Sequence, residues 1–179
     1  MNQTKQRPTG PETNDDPVLD SVDMIEGSLD AVGLRVAVII TEWNESIING
    51  LLDGALQTLH DCGVATADID VIRVPGAFEL PLAAKVAAAS GKYDALIALG
   101  AVIRGGTPHF EYVCRACTDG IREVSLEFSL PVAFGVLTTD NEQQAADRAA
   151  PGEENKGREA ALAAVRLHNT LKLLGTDQS

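Results

Sequence analysis

The stretch Gly100-Ala-Val-Ile-Arg-Gly-Gly-Thr-Pro-His109 joins an apolar run to residues that turn the chain and carry chemistry. Gly105 and Gly106 allow the backbone to come close to a ligand. Thr107 has the side chain of a helix N-cap, and Pro108 suits a first helical position. A helix opening here aims unpaired amide groups outward, and such groups favour an anion, most commonly phosphate. The segment reads either as a phosphate cradle or as a well-made cap with spare glycines, and the loop alone weighs the two evenly. It has neither the Gly-Lys-Ser/Thr of a Walker A loop nor Gly-x-Gly-x-x-Gly, so no nucleotide is indicated.

His109 stands at the same edge, and imidazole is the side chain best suited to moving protons near neutral pH. The other two histidines, His60 and His168, fall within helical patterns. Further candidates sit at the ends of other apolar runs. Trp43 either stacks on a flat ring or closes a sheet edge, and for Phe78 and Phe134 core packing is the simpler expectation. Glu79 either holds hydroxyl groups or complements a helix N-terminus. Arg148 and Lys156 are either solvated or form a cationic lid over an anion. Cys114 and Cys117 make a Cys-x-x-Cys, but no second pair exists for zinc and the motif falls in mid-helix, so both thiols read as packing residues. With Cys62 the count is odd and matches no disulfide framework, which fits a reducing compartment.

Alternating strands and helices must position these residues. Leu34–Ile40 and Ile69–Val74 are β-branched runs, and Ala95–Ile103 is apolar throughout, as a strand buried on both faces requires. Pro131–Leu137 is a fourth strand. Between them, residues 46–63 place Ile47, Ile48, Leu51, Leu52, Ala55, Leu56 and Leu59 at helical spacing, with Gly63 as the stop. Phe78–Ser90 forms a helix that tolerates Pro81 only in its first turn. Residues 108–129 carry an apolar stripe from Phe110 to Phe128. Residues 138–149 open with a Thr139–Glu142 capping box. Residues 155–175 form an Ala-rich last helix. This alternation implies a parallel sheet covered on both faces, with ligands at the carboxyl ends of its strands. Val22–Gly27 reads as a short strand without an adjacent partner.

The length and composition fit a single soluble domain over residues 21–175. Residues 1–20, rich in Pro, Thr, Asn and Asp, are expected to be a disordered acidic tail, and 176–179 a short C-terminal one. The net charge of −12 leaves no basic stripe, which argues against nucleic acid. The longest apolar run, about ten residues, is too short to cross a bilayer, and the N-terminus lacks an apolar signal core. Cytoplasm is the expected location.

The motifs Ile25-Glu-Gly-Ser-Leu29, Glu42-Trp-Asn44, Val74-Pro-Gly-Ala-Phe-Glu-Leu-Pro81, Gly100–Val113, Phe134-Gly-Val-Leu-Thr-Thr139, Asp147-Arg-Ala149 and Asn155-Lys-Gly157 occur in order. Together they make the chain resemble the 6,7-dimethyl-8-ribityllumazine synthase family from about Val22 to Leu174. The resemblance implies a flavodoxin-like three-layer α/β/α sandwich with a parallel four-stranded core sheet. It also implies that Val22–Gly27 joins a neighbouring subunit's sheet. The implied activity is a transferase step, penultimate in riboflavin biosynthesis. It condenses 5-amino-6-(D-ribitylamino)uracil with 3,4-dihydroxy-2-butanone 4-phosphate and releases phosphate and water, without metal or cofactor.

Carried over residue by residue, the resemblance puts Trp43 on the pyrimidinedione and Ala77, Phe78 and Glu79 on the ribityl chain and ring. Ala101, Val102 and Ile103 lie along the pyrimidine, Gly106 and Thr107 hold the phosphate, and His109 transfers protons. Phe134, Arg148 and Lys156 come from the neighbouring subunit, Phe134 and Lys156 on the ribitylaminouracil and Arg148 on the phosphate. The implied assembly is a homo-oligomer. Some relatives stop at a pentamer, others stack pentamers into an icosahedral shell of sixty (a 60-mer), and riboflavin synthase is a candidate partner. The loop Ala149–Gly157 has no insertion, which favours the shell, but carries Pro-Gly-Glu-Glu where relatives often have Gly-Thr-Lys-Ala-Gly. The competing readings are a flavin-binding module, a shell protein with a decayed site and an archaeal-type riboflavin synthase. The intact Gly105–His109 and Arg148 speak against the first two, and the motif set speaks against the third.

Overall fold

A strand covered by helices on both sides must be apolar at every position, and β3 (Ala95–Ile103) is the clearest case: its first seven residues are buried. The computed structural model describes residues 22–176. In it β3 lies inside a four-stranded parallel sheet of order β2-β1-β3-β4, with β1 at Val36–Thr41, β2 at Ile69–Val74 and β4 at Val132–Thr139. The edge strands are less covered: β4 mixes buried and exposed positions, and β2 has only half-buried and exposed ones. Helices α1 (Glu45–Asp61), α4 (Glu142–Ala149) and α5 (Lys156–Thr176) cover one face, and α2 (Leu80–Ala89) and α3 (His109–Phe128) the other. The flavodoxin-like three-layer α/β/α arrangement is therefore present.

Period-two alternation splits β1 between the two cores. Val36, Val38 and Ile40 join the α1/α4/α5 side, whereas Ala37 and Ile39 join the α2/α3 side. Burying one such side chain contributes roughly 1.5–3 kcal/mol. The Ala-rich face of α5 packs closely as expected, with Ala160, Ala161, Ala164 and Val165 buried. Helix α1 ends as its sequence implies: Gly63 adopts φ 97°, its amide donates to the His60 carbonyl, and the Val64 amide donates to Leu59. That pairing is a Schellman motif.

Two caps differ from expectation. Thr107 caps nothing, because α3 begins at His109 behind Pro108 and no side chain caps it. Helix α4 is capped by Asn141, whose side chain accepts from the Gln144 amide, and the Gln144 carboxamide in turn accepts from the Asp140 amide. The box thus lies two residues beyond Thr139–Glu142. Thr139 is instead still in β4, and its hydroxyl donates to the Asn141 carbonyl. Pro81 does fall in the first turn of α2.

Val22–Gly27 forms no strand within the chain. It runs beside α5, where the Gly27 amide donates to Thr170 Oγ1 (3.0 Å) and Glu26 pairs with Arg166 (3.2 Å). The tails expected at 1–20 and 176–179 fall outside the described residues, apart from Thr176 at the end of α5. No described helix is long and apolar enough to cross a membrane.

Candidate active site

Parallel strands bring all their carboxyl ends to one edge, so residues far apart in sequence meet there. Trp43 and Asn44 follow β1, the turn Pro75–Glu79 follows β2, and the end of β3 with His109 completes the third wall. They enclose a groove of about 670 Å³. Every residue expected on the ring and ribityl chain from one subunit lines it: Trp43, Ala77, Phe78, Glu79 and the strip Ala101–Ile103. His109 lines it too, from the first turn of α3.

The local backbone explains the shape. Asn44 takes a left-handed conformation (φ 63°, ψ 50°), which asparagine tolerates better than most residues. Its amide donates to the Ala101 carbonyl (3.3 Å) and so ties the β1 loop to the β3 strip. After β2, the Glu79 amide donates to the Gly76 carbonyl (3.2 Å) and closes a tight turn. In the groove wall, the Thr41 hydroxyl is buried with no hydrogen-bond partner among the described residues.

The aromatics correct one expectation. Phe78 is 61% exposed and Phe134 41%, so neither is a core residue, and Trp43 is 71% exposed. Large apolar rings left this open mark a recognition surface rather than a core. The reason is positional. Phe78 sits in a turn beyond the last covered strand residue, and Phe134 points outward from edge strand β4.

A second depression, about 400 Å³, lies along β4 and gathers Phe134, Arg148 and Lys156. Neither cavity shares a residue with the other. The three residues that the resemblance attributes to a neighbour are thus together, and apart from the groove on their own chain. Arg148, exposed in the last turn of α4, donates from Nη1 to the Gln144 carbonyl (2.9 Å). Lys156 opens α5 and pairs with Glu159 (2.6 Å).

Gly106 and Thr107 line neither cavity. They form an exposed bend before α3, and a Cβ placed on Gly105 or Gly106 would meet nothing within 4 Å. This turn is open to solvent and its helix start carries no side-chain cap.

Arg104 was not among the expected site residues. Its amide donates to the Thr139 carbonyl (2.8 Å), its Nε to Asp140 (3.0 Å) and its Nη1 to Glu111, and its guanidinium lies 4.2 Å from the centroid of the Phe110 ring. It therefore clamps the base of the Gly105–Pro108 turn between β4 and α3. Its hydrogen bond holds the Glu111 carboxyl below the usual range, and Glu111 followed by Asp140 raises Arg104 in return. A cation directly after a buried strand, with an acid seven residues on, was the available signal.

The cysteines behave as packing residues. Cys117 is fully buried, and burial, then Cys114, pushes its thiol up to about 12. Cys114 is raised chiefly by burial as well, followed by Glu111. Low-pKa reactive thiols need the opposite environment. Among the described residues no cluster of three or more His, Cys, Asp or Glu could hold a metal ion.

These features define a flavodoxin-like α/β/α protein with a ligand-sized groove at the carboxyl edge of its sheet and a separate cationic patch beside β4, at the ends of α4 and α5. A family model described as 6,7-dimethyl-8-ribityllumazine synthase matches residues 33–172. The chain belongs to that family. Membership makes it a transferase of the lumazine synthase type, within riboflavin biosynthesis, in a family that is generally oligomeric.

Proposed function

We propose that this chain condenses 5-amino-6-(D-ribitylamino)uracil with 3,4-dihydroxy-2-butanone 4-phosphate to form 6,7-dimethyl-8-ribityllumazine, without metal or cofactor. The observation that carries this reading is the groove, where Trp43, the Ala77–Glu79 turn, the Ala101–Ile103 strip and His109 converge from three loops. Trp43 supplies a flat face for the pyrimidinedione and the β3 strip its backbone edge. Glu79 holds ribityl hydroxyls, and the orphan Thr41 hydroxyl offers one more hydrogen bond to a bound polar group. Gly106 and Thr107 hold the phosphate with Arg148.

The amine of the uracil attacks the ketone and water leaves as the imine forms. Loss of a proton beside the imine expels phosphate and leaves an enol, the enol tautomerises to a ketone, and the second amine attacks that carbonyl and closes the ring as a second water leaves. His109 moves these protons. None of the steps needs a strong nucleophile, so much of the acceleration comes from holding two substrates together.

The separation of the groove from Phe134, Arg148 and Lys156 supports a site completed between subunits. The oligomer is a pentamer at least, with the shell of sixty as the larger form. The open edge of β2 fits the same arrangement. An apolar trough of about 530 Å³ runs along β2 and α2, lined by Ile72, Val74, Leu82 and Val86. Val22, Met24 and Ile25 are exposed on the segment that would add as a neighbour's strand.

The test is spectroscopic. Purified protein is mixed with both substrates and a chelator, and lumazine absorbance and fluorescence are followed against an enzyme-free control, since the condensation also proceeds uncatalysed. Formation well above the control is expected. Background-level formation by folded, oligomeric protein would overturn the reading in favour of a flavin-binding or shell role.

A further inference from the structure

We propose that Asn155 is a positioning residue for the cationic half of the site. Its buried side chain sets where Arg148 and Lys156 stand. The proposal rests on the reading that these two cations serve substrates held in a neighbour's groove.

Asn155 is 2% exposed. Its Nδ2 donates to the carbonyls of Gly50 (3.0 Å), Ala149 (2.9 Å) and Ala150 (3.1 Å). Its Oδ1 accepts from the amides of Gly157 (2.9 Å) and Arg158 (3.0 Å). The last two bonds make it the N-cap of α5, satisfying amides of the second and third helical positions. The first three tie that cap to the middle of α1 and to the C-terminal end of α4. One side chain therefore spans three helices and saturates both ends of its carboxamide.

The two cations flank this knot. Ala149 directly follows Arg148, and Lys156 directly follows Asn155. Arg148 is exposed and the Lys156 side chain is 37% exposed, so packing does not immobilise either head group. Their backbones are what is held. The exposed loop between them, Ala150–Glu154, has its two ends joined through Asn155. The space around the knot admits no side chain: a Cβ on Gly50 would lie 2.5 Å from the Ala149 carbonyl oxygen, and one on Gly54 would collide with the Asn155 carboxamide itself.

The chemistry requires an amide. Three carbonyl oxygens converge on Nδ2, so a carboxylate there would meet acceptors only, and a serine would keep the cap while losing the donors.

The experiment uses the intact oligomer. Asn155→Ser is expected to raise KM for both substrates about tenfold, since Arg148 and Lys156 serve one each and a lost anchor is worth about that factor. Val124→Ala, a core truncation on the opposite face of the sheet, is expected to lower the melting temperature and leave both KM values unchanged. A change in melting temperature alone for Asn155→Ser overturns the proposal. Should that variant not fold, Gly54→Ala presses a methyl into the same carboxamide and is expected to raise the same two KM values.

Mixed oligomers separate this idea from the one beneath it. Asn155→Ser chains co-assembled with Trp43→Ala chains pair an intact groove with an intact cationic patch, so activity above either parent is expected. Rescue in an Arg148→Ala/Trp43→Ala mixture without rescue in the Asn155→Ser mixture overturns the positioning role. No rescue in either mixture overturns the shared site, and the proposal with it.

Discussion

The groove and the cationic patch are built in opposite ways. The groove is made of strand ends and tight turns, and its lining strip Ala101–Ile103 is the last part of a nine-residue strand, paired there with β4 after the pairing with β1 has ended at Leu99. The patch is made of side chains at helix ends, Arg148 and Lys156, on backbone tied down through one buried carboxamide. Sheet hydrogen bonding gives the first region a shape that tolerates side-chain change. The second depends on the charge and reach of individual residues. The lesson is that a site divided between two such surfaces has a scaffold half and a charged half, and substitutions should fall on them unequally.

The largest effect should come from the charged half. Arg148→Ala is expected to reduce kcat/KM for the phosphate substrate about a hundredfold, the upper range for one lost charge-assisted hydrogen bond, mainly through KM. An unchanged KM would remove Arg148 from the phosphate. His109→Ala is expected to slow turnover about tenfold without abolishing it, less than the hundredfold or more that a general acid–base group usually supplies, because holding two substrates together provides most of the rate. Wild-type turnover across pH 6 to 8 would sink the shuttle. In the scaffold half, Trp43→Phe should change kcat/KM less than threefold because either ring offers a stacking face, whereas Trp43→Ala should cost about tenfold. Equal losses for both would mean that Trp43 contributes more than a flat surface.

The smallest effect tests the clamp. Glu111 is held below the usual carboxylate range by Arg104. A depressed folded-state pKa contributes stability above the unfolded value and loses it as pH falls through the folded one. Arg104→Gln should therefore lower the melting temperature slightly at pH 7, and that difference should vanish in strong acid. Both side chains are exposed, so the shift should also shrink in high salt. A difference that persists in acid would assign the effect to the Phe110 contact instead.

Much of the scaffold was legible because its causes are local. Ile69–Val74 and Ala95–Ile103 were read at their observed limits, since β-branched runs flanked by turn residues leave little choice. Gly63 ends α1 because a left-handed residue there costs glycine nothing. The caps of α3 and α4 were misplaced for the complementary reason. At α4, Thr138, Thr139, Asp140 and Asn141 could each serve, and chain direction, not residue type, decides between Thr139 and Asn141, whereas at α3 Pro108 stands between Thr107 and the first helical residue. The groove residues were legible as motifs, but the openness of Phe78 and Phe134 was not.

The sequence by itself determined the strands, most helix limits and the residues gathered at the sheet's carboxyl edge, because these follow from side-chain periodicity and backbone preference within a few residues. Tertiary structure alone decided which aromatics stay uncovered, that Phe134, Arg148 and Lys156 gather away from the groove, that Arg104 clamps the Gly105–Pro108 turn, and that Asn155 joins three helices. Each of these depends on how elements distant in sequence pack against one another, with partners about 3–4 Å apart, an arrangement that no local pattern along the chain encodes.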